Sequence, residues 1–182
     1  MKMNYNTLGI STKEAKKLVL KLYGIDGELT KLDGYVDFNF KVKTSQNDQY
    51  ILKISRPNTD IKELEFQQQL LEHIASNKSV LAPKVVLNKA QEGISTFLDA
   101  QGNKRAVRLL TWMKGRLWSA VNPQTASLRH QLGQQAGRLT SALEDFEHPE
   151  AHRVLEWDNA QVAWVYEYLD LFEGRQRILM EH

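Results

Sequence analysis

Apolar positions recur along this chain at two spacings, and each predicts a different kind of element. Ser11-Thr12-Lys13-Glu14 is a capping-box pattern, and Ala15, Leu18, Val19 and Leu22 follow at helical period until Gly24 supplies a stop. A first amphipathic helix is expected there. Gly27 to Leu32 reads as a short strand and Asp33-Gly34 as a turn, after which Phe38, Phe40 and Val42 alternate with polar residues as in a half-buried strand. Ser45-Gln46-Asn47-Asp48 makes the next turn. Gln49-Tyr50-Ile51-Leu52-Lys53-Ile54-Ser55 then follows as the third strand of an antiparallel meander.

Arg56 to Asp60 breaks that strand, with Thr59 or Asp60 placed to cap a helix whose Ile61, Leu64, Leu71 and Ile74 keep helical period to about Ser76. Pro83 precedes a β-rich section. It contains Val85-Val86-Leu87, a run from Ile94 to Leu98, a turn over Asp99 to Asn103 and a strand from Lys104 to about Thr111. The expected lobe is α+β, a five-stranded antiparallel sheet with one helix inserted after the third strand. Beyond Gly115 the pattern turns helical: Leu128, Leu132, Ala136, Leu139, Leu143 and Phe146 form one apolar stripe, which Pro149 prevents from continuing. Asp158 is placed to cap a helix carrying Val162, Val165, Tyr166 and Leu169, and a last helix is expected from Arg175.

Composition narrows the classes of function. With 182 residues, 42% hydrophobic and 25% charged, the chain is long enough for one sizeable core or two small lobes. The net charge of +2 is spread along the sequence, so nucleic acid and anionic membrane are not expected partners. Cysteine is absent, which removes disulfides, thiolate metal sites and cysteine nucleophiles. The start lacks the apolar core of a signal peptide, and no apolar run reaches the roughly 20 residues of a membrane span, so a cytoplasmic setting is expected. His73, His130, His148, His152 and His182 are scattered without metal-ligand spacing.

Chemistry concentrates around Lys53. A lysine in the middle of an apolar strand requires an anion, whether a helix carboxylate, a nucleotide phosphate or solvent at a sheet edge. Upstream, the turn at Gly34 can take positive φ, with Asp37 and Asn39 close by, and a tip of this kind can lay backbone N–H groups over phosphates. Downstream, the second helix offers Glu63 and Glu65, about 200° apart around its axis at ~100° per residue, so only one can face Lys53. Glu65 is the expected partner. The order of loop, strand lysine, helix glutamate, sheet and exit strand is that of a nucleotide lobe in protein-kinase-like phosphotransferases.

The segments Gly34 to Val42, Tyr50 to Ser55, Leu64-Glu65-Phe66-Gln67 and Val107-Arg108-Leu109-Leu110-Thr111-Trp112-Met113-Lys114-Gly115 resemble the aminoglycoside phosphotransferase and choline kinase superfamily, especially its hydroxylysine-kinase-like branch. Gly137-Arg138-Leu139, Asp145 to Pro149 and Trp157-Asp158 extend the resemblance. It implies that Lys53 contacts nucleotide phosphates, that Glu65 pairs with it, and that Gly34, Tyr35, Val36, Asp37 and Asn39 cover those phosphates. It also implies that Ile51 lines the nucleotide site and that Leu110, Thr111 and Trp112 form the hinge. Residues 1–112 would then be the nucleotide lobe with an N-terminal helix, and residues 113–182 the hinge and first part of a helical lobe.

This sequence departs from the family in lacking the histidine-led catalytic aspartate loop and the later magnesium aspartate. His152-Arg153 followed by Asp158-Asn159 and the triplet Asp145-Phe146-Glu147 imitate them but read as helix ends. The resemblance thus implies the nucleotide-binding part of an ATP- or GTP-dependent kinase, with Mg2+ ligands and the base expected beyond residue 182. Its acceptor would be the hydroxyl of an amine-bearing molecule such as hydroxylysine, homoserine or choline. Relatives of that branch also occur fused ahead of class III aminotransferase domains, which implies a larger bifunctional parent. The alternative is a non-catalytic nucleotide- or protein-binding module. Neither reading expects phosphotransfer from this chain alone.

Overall fold

The computed structural model describes residues 9–77, 80–153 and 158–181. Helix α1 spans Thr12–Tyr23, and the expected capping box forms: the Ser11 hydroxyl accepts from the Glu14 N–H while the Glu14 carboxylate accepts from the Ser11 N–H. Gly24 closes the helix in the left-handed region at φ 72°. Strands β1 (Glu28–Leu32), β2 (Phe38–Lys43) and β3 (Gln49–Ile54) make the predicted meander, and Asn47 at φ 69° turns the chain between β2 and β3. Helix α2, Ile61–Ser76, is capped by Asp60, whose side chain accepts from the Lys62 N–H. Strands β4 (Val85–Val86), β5 (Ser95–Leu98) and β6 (Lys104–Thr111) complete the sheet.

Among the described residues six strands are present where five were expected, in the order β1-β2-β3-β6-β4 with β5 also on β6. The two shortest divide the outer edge of β6 between them. Strand β4 pairs Val85 with Leu110, whereas β5 pairs Leu98 with Lys104 and Ser95 with Val107, so the sheet has the expected width at every level. Every pairing is antiparallel.

Register sorts the side chains onto two faces, because directly opposed residues in an antiparallel pair point the same way. Phe40, Leu52 and Leu109 form one row, and Ile54 opposes Val107. With Val42 these residues are fully buried against Ile10, Ala15 and Val19 at α1. The alternate residues form the other face: Asn39, Lys53 and Arg108 in one row, and Lys41, Ile51, Leu110 and Val85 in the next. Helix α2 buries Leu64 and Ile74, and its Gln67 reaches this second face.

Arg105 lies on the α1 side of β6 as a buried charge. It pairs with Asp99 at 2.7 Å, donates to the Ser55 carbonyl at 3.3 Å and stacks over Phe38. Asp99 is also the organiser of the β5–β6 turn, accepting from the N–H groups of Gln101 and Asn103, while Gly102 takes φ 80°.

Helix α3 spans Ala126–Ala142 and ends before Leu143 and Phe146, which the apolar stripe had placed within it. The chain turns at Leu143 so that Phe146 packs against Phe66 and His73 of α2, and His73 Nε2 lies 3.0 Å from both the Ala142 carbonyl and Asp145. The first compact unit is Met1–Phe146. The second unit is Glu147–His182. In it Asp158 caps a helix as expected, accepting from the Ala160 N–H, but Asn159–Leu171 is 3₁₀ with non-helical backbone at Gln161. Val162, Trp164, Val165, Tyr166 and Tyr168 crowd this stretch with β-branched and aromatic residues that favour the α-helix less. Helix α4 is Gly174–Glu181. Trp157 lies outside the described residues.

Candidate functional site: a cationic row beneath the β1–β2 loop

Strand β3 projects Lys53 onto the face away from α1, as alternation with buried Leu52 and Ile54 requires. Its ammonium lies 3.1 Å from the Asp37 carboxylate and donates to the Asn39 side-chain oxygen at 3.1 Å. Asn39 is opposite Lys53 in register, so the strand pairing itself delivers that contact. On the other side Arg108 is opposite Lys53, and its guanidinium reaches the same Asp37 oxygen at 3.4 Å while donating to Gln67 at 2.9 Å. Burial pulls the Arg108 guanidinium below its ordinary value, and the nearby Asp37 and Glu63 charges oppose that shift.

The expected Lys53–Glu65 pair does not form in this structure. Glu65 is exposed and lines a shallow hollow with Gln68, Gln69 and Glu92. The phase of α2 explains the difference. Leu64 and Ile74 face the protein and Gln67 reaches Arg108, while Glu65 stands about 200° from Gln67 around the axis at ~100° per residue. Glu63, one turn before Gln67 and in contact with it, is the glutamate on the Arg108 side.

Between Leu32 and Phe38 the loop bends back over the row. Gly34 does not use the positive φ open to it; it is required because a Cβ there would collide with the Asp37 carbonyl and the Asn39 side chain. Asn39 Nδ2 donates to the Asp37 carbonyl at 3.3 Å and so fixes the loop's second limb. Tyr35 and Val36 are exposed at its tip. Lys31, Phe38 and Arg56 join the loop around a hollow.

Ile51 and Leu110 sit side by side in the neighbouring row with Lys41, whose ammonium lies 4.4 Å from the Trp112 ring centroid. At the end of β6, the Thr111 N–H donates to the Lys84 carbonyl and the Trp112 N–H to the Gln49 carbonyl. The internal pairing therefore uses the donors of Thr111 and Trp112, and the chain leaves the sheet at Met113.

The structure thus brings together Lys53, Asp37, Asn39 and the Gly34 turn, and sets Ile51 and Leu110 in the next row, with Thr111 and Trp112 following at the end of β6. Sequence reasoning missed Arg108, Gln67 and Lys41. The polar residue Arg108 between Val107 and Leu109 was the signal available, since it repeats the pattern that singled out Lys53. Two cations converging on one anionic oxygen are chemically suited to phosphate. A metal is a different matter: among the described residues no three or more His, Cys, Asp or Glu converge to hold an ion. No helix among them is long and apolar enough to cross a membrane.

Among the solved structures that share this fold are two kinases. Amicoumacin kinase hAmiN, in complex with AMP-PNP, Ca2+ and Ami, superposes with a TM-score of 0.68 at 17% identity, over 97% of this chain and 52% of the kinase. The microcompartment-associated aminopropanol kinase matches with a TM-score of 0.64 at 19% identity, over 81% of this chain and 45% of its own. The chain therefore spans about half the length of these kinases. No curated protein sequence matches it. The APH family model, described as the phosphotransferase enzyme family, matches residues 28–179, most of the sequence, and the chain belongs to that family, with the protein-kinase-like fold of the aminoglycoside phosphotransferase and choline kinase superfamily.

Proposed function

We propose that this chain is the nucleotide-binding portion of a kinase that phosphorylates a hydroxyl of an amine-bearing small molecule, with residues 1–112 as the nucleotide lobe and residues 113–182 as hinge and first helices of a helical lobe. The observation that carries the reading is the Asn39-Lys53-Arg108 row beneath the Gly34 loop. Lys53 would bind the phosphates of ATP or GTP, and Gly34, Tyr35, Val36, Asp37 and Asn39 would cover them. Ile51 and Leu110 present apolar surface beside the row for the base, and Trp112 stands at the exit strand. Glu65 faces away from the row in this structure, so for it to take Lys53 in the nucleotide-bound state α2 would have to turn about its axis.

Bound nucleotide supplies the phosphoryl group, and Mg2+ would neutralise its charge. The proposal places the base and metal ligands in sequence outside this chain, as its half-length match to the two kinases supports. An acceptor of the amino-alcohol class is supported by the names of those kinases, which specify amicoumacin and aminopropanol. Hydroxylysine, homoserine and choline are members of the proposed class.

Calorimetric titration of the 182-residue chain with ATP and GTP tests the reading. Lys53→Ala is expected to weaken binding roughly 10- to 100-fold, the size of a lost charged hydrogen bond, with an unchanged melting temperature. Glu65→Gln should weaken it several-fold. Wild-type protein that binds neither nucleotide, or a Lys53→Ala variant that binds as tightly as wild type, would sink the proposal.

A further inference from the structure

Arg108 is not needed for packing in the way its neighbours are. It is 6% exposed, it alternates with core residues Val107 and Leu109, and it faces Lys53 across the β3–β6 pairing. A guanidinium has more N–H donors than the contacts to Gln67 and Asp37 use, and the Asp37 contact is long at 3.4 Å. Lys53 and Arg108 both aim at one oxygen of Asp37. That oxygen belongs to the residue just before β2, so a side-chain rotation vacates the position while the strand stays paired.

We propose that Lys53 and Arg108 form a two-cation anion seat, that Arg108 is a phosphate-binding residue of this site, and that Asp37 occupies the seat in the free protein as an internal stand-in for a phosphate oxygen. The inference rests on the nucleotide reading above and goes beyond it. A triphosphate must displace the Asp37 carboxylate, and its apparent affinity is reduced by the fraction of molecules in which the seat is already filled. A ligand without phosphates does not meet that competition. Asp37 thereby discriminates for polyanions that reach both cations over ligands that reach Lys53 alone. Glu63, whose charge acts on Arg108, limits how tightly the seat holds any anion once Asp37 has left.

The experiment is titration of the full 182-residue chain and its variants with ATP, with adenosine and with tripolyphosphate. Asp37→Asn keeps the size of the side chain and removes its charge. It is expected to bind ATP and tripolyphosphate roughly ten-fold tighter, as for a seat about nine-tenths occupied by its own carboxylate, with adenosine unchanged. Arg108→Lys keeps the charge and loses the planar fork, and should weaken ATP and tripolyphosphate several-fold while sparing adenosine. Asp37→Asn binding no tighter than wild type, or Arg108→Lys equal to wild type, overturns the inference.

Should either variant fail to fold, hydrogen exchange of residues 33–39 in wild-type protein decides. Exchange that changes with saturating tripolyphosphate supports displacement of Asp37, and unchanged exchange refutes it. The two readings fail separately. Wild type that binds ATP in a Lys53-dependent way, with no gain from Asp37→Asn, removes only the anion seat. No nucleotide binding by any of the proteins removes both.

Discussion

At the scale of single residues, two arginines of one strand show how burial and pairing decide a charge's role. Arg105 and Asp99 are side chains 1% and 3% exposed and satisfied on both sides, whereas Arg108 is nearly as deep but only partly partnered. Burial raises the Asp99 carboxyl, but hydrogen bonds from Arg105, Asn103 and Gln101 outweigh it and hold the group at about 2. Its folded value is depressed below the ordinary 3.8, so its stabilisation is present above that value and is lost as pH falls toward about 2. Acid unfolding followed by circular dichroism should therefore show stability falling between those limits. Asp99→Asn should lower stability at neutral pH by about 3–5 kcal/mol, since it leaves Arg105 buried without its anion. A variant as stable as wild type at pH 7 would show that Phe38 and the Ser55 carbonyl suffice for Arg105.

At the scale of elements, local chemistry was legible and phase was not. The capping box of α1, the Gly24 stop, the Asp60 cap and the ends of α2 all came from patterns a few residues long. Ser11→Ala should cost about 1 kcal/mol in a denaturant melt, a direct measure of the α1 cap; an unchanged midpoint would mean that α1 is held by Ala15 and Val19 alone. The local pattern did not contain the rotation of α2 against the sheet. Leu64, Ile74 and Gln67 set it through contacts distant in sequence, and in this structure it puts Glu63, not Glu65, on the Arg108 side. The same limit hid Asp37, Lys53 and Arg108 as a cluster, because a loop residue and residues of two strands meet only once register is known. Helix α3 ended early for a related reason, the pull of Phe66 and His73 on Phe146.

At the scale of the molecule, the sheet, α1, α2 and α3 belong to one compact unit ending at Phe146. Residues 1–146 expressed alone should keep the strand content and a cooperative thermal transition, and should bind nucleotide as the 182-residue chain does. Loss of the transition would mean that the unit depends on residues 147–182 for its stability. The antiparallel α+β architecture was readable from alternation and turn residues. The exposed Leu132 and Leu139 of α3, placed by the sequence on a single apolar stripe, were legible as pattern but not as burial.

Strand β6 also acts as a gauge. Its odd positions, Val107 and Leu109, are seated in the apolar interior, and its even position Arg108 looks out on Asp37. Sliding the strand by one residue would drive the Arg108 guanidinium into that interior without an anion and turn a valine toward Lys53 and Asp37, so the penalty for misalignment falls on folding first. The greasy half of the sheet thus proofreads the position of the charged half. Any ligand that meets Lys53 and Arg108 together meets a spacing that the folded state has already checked.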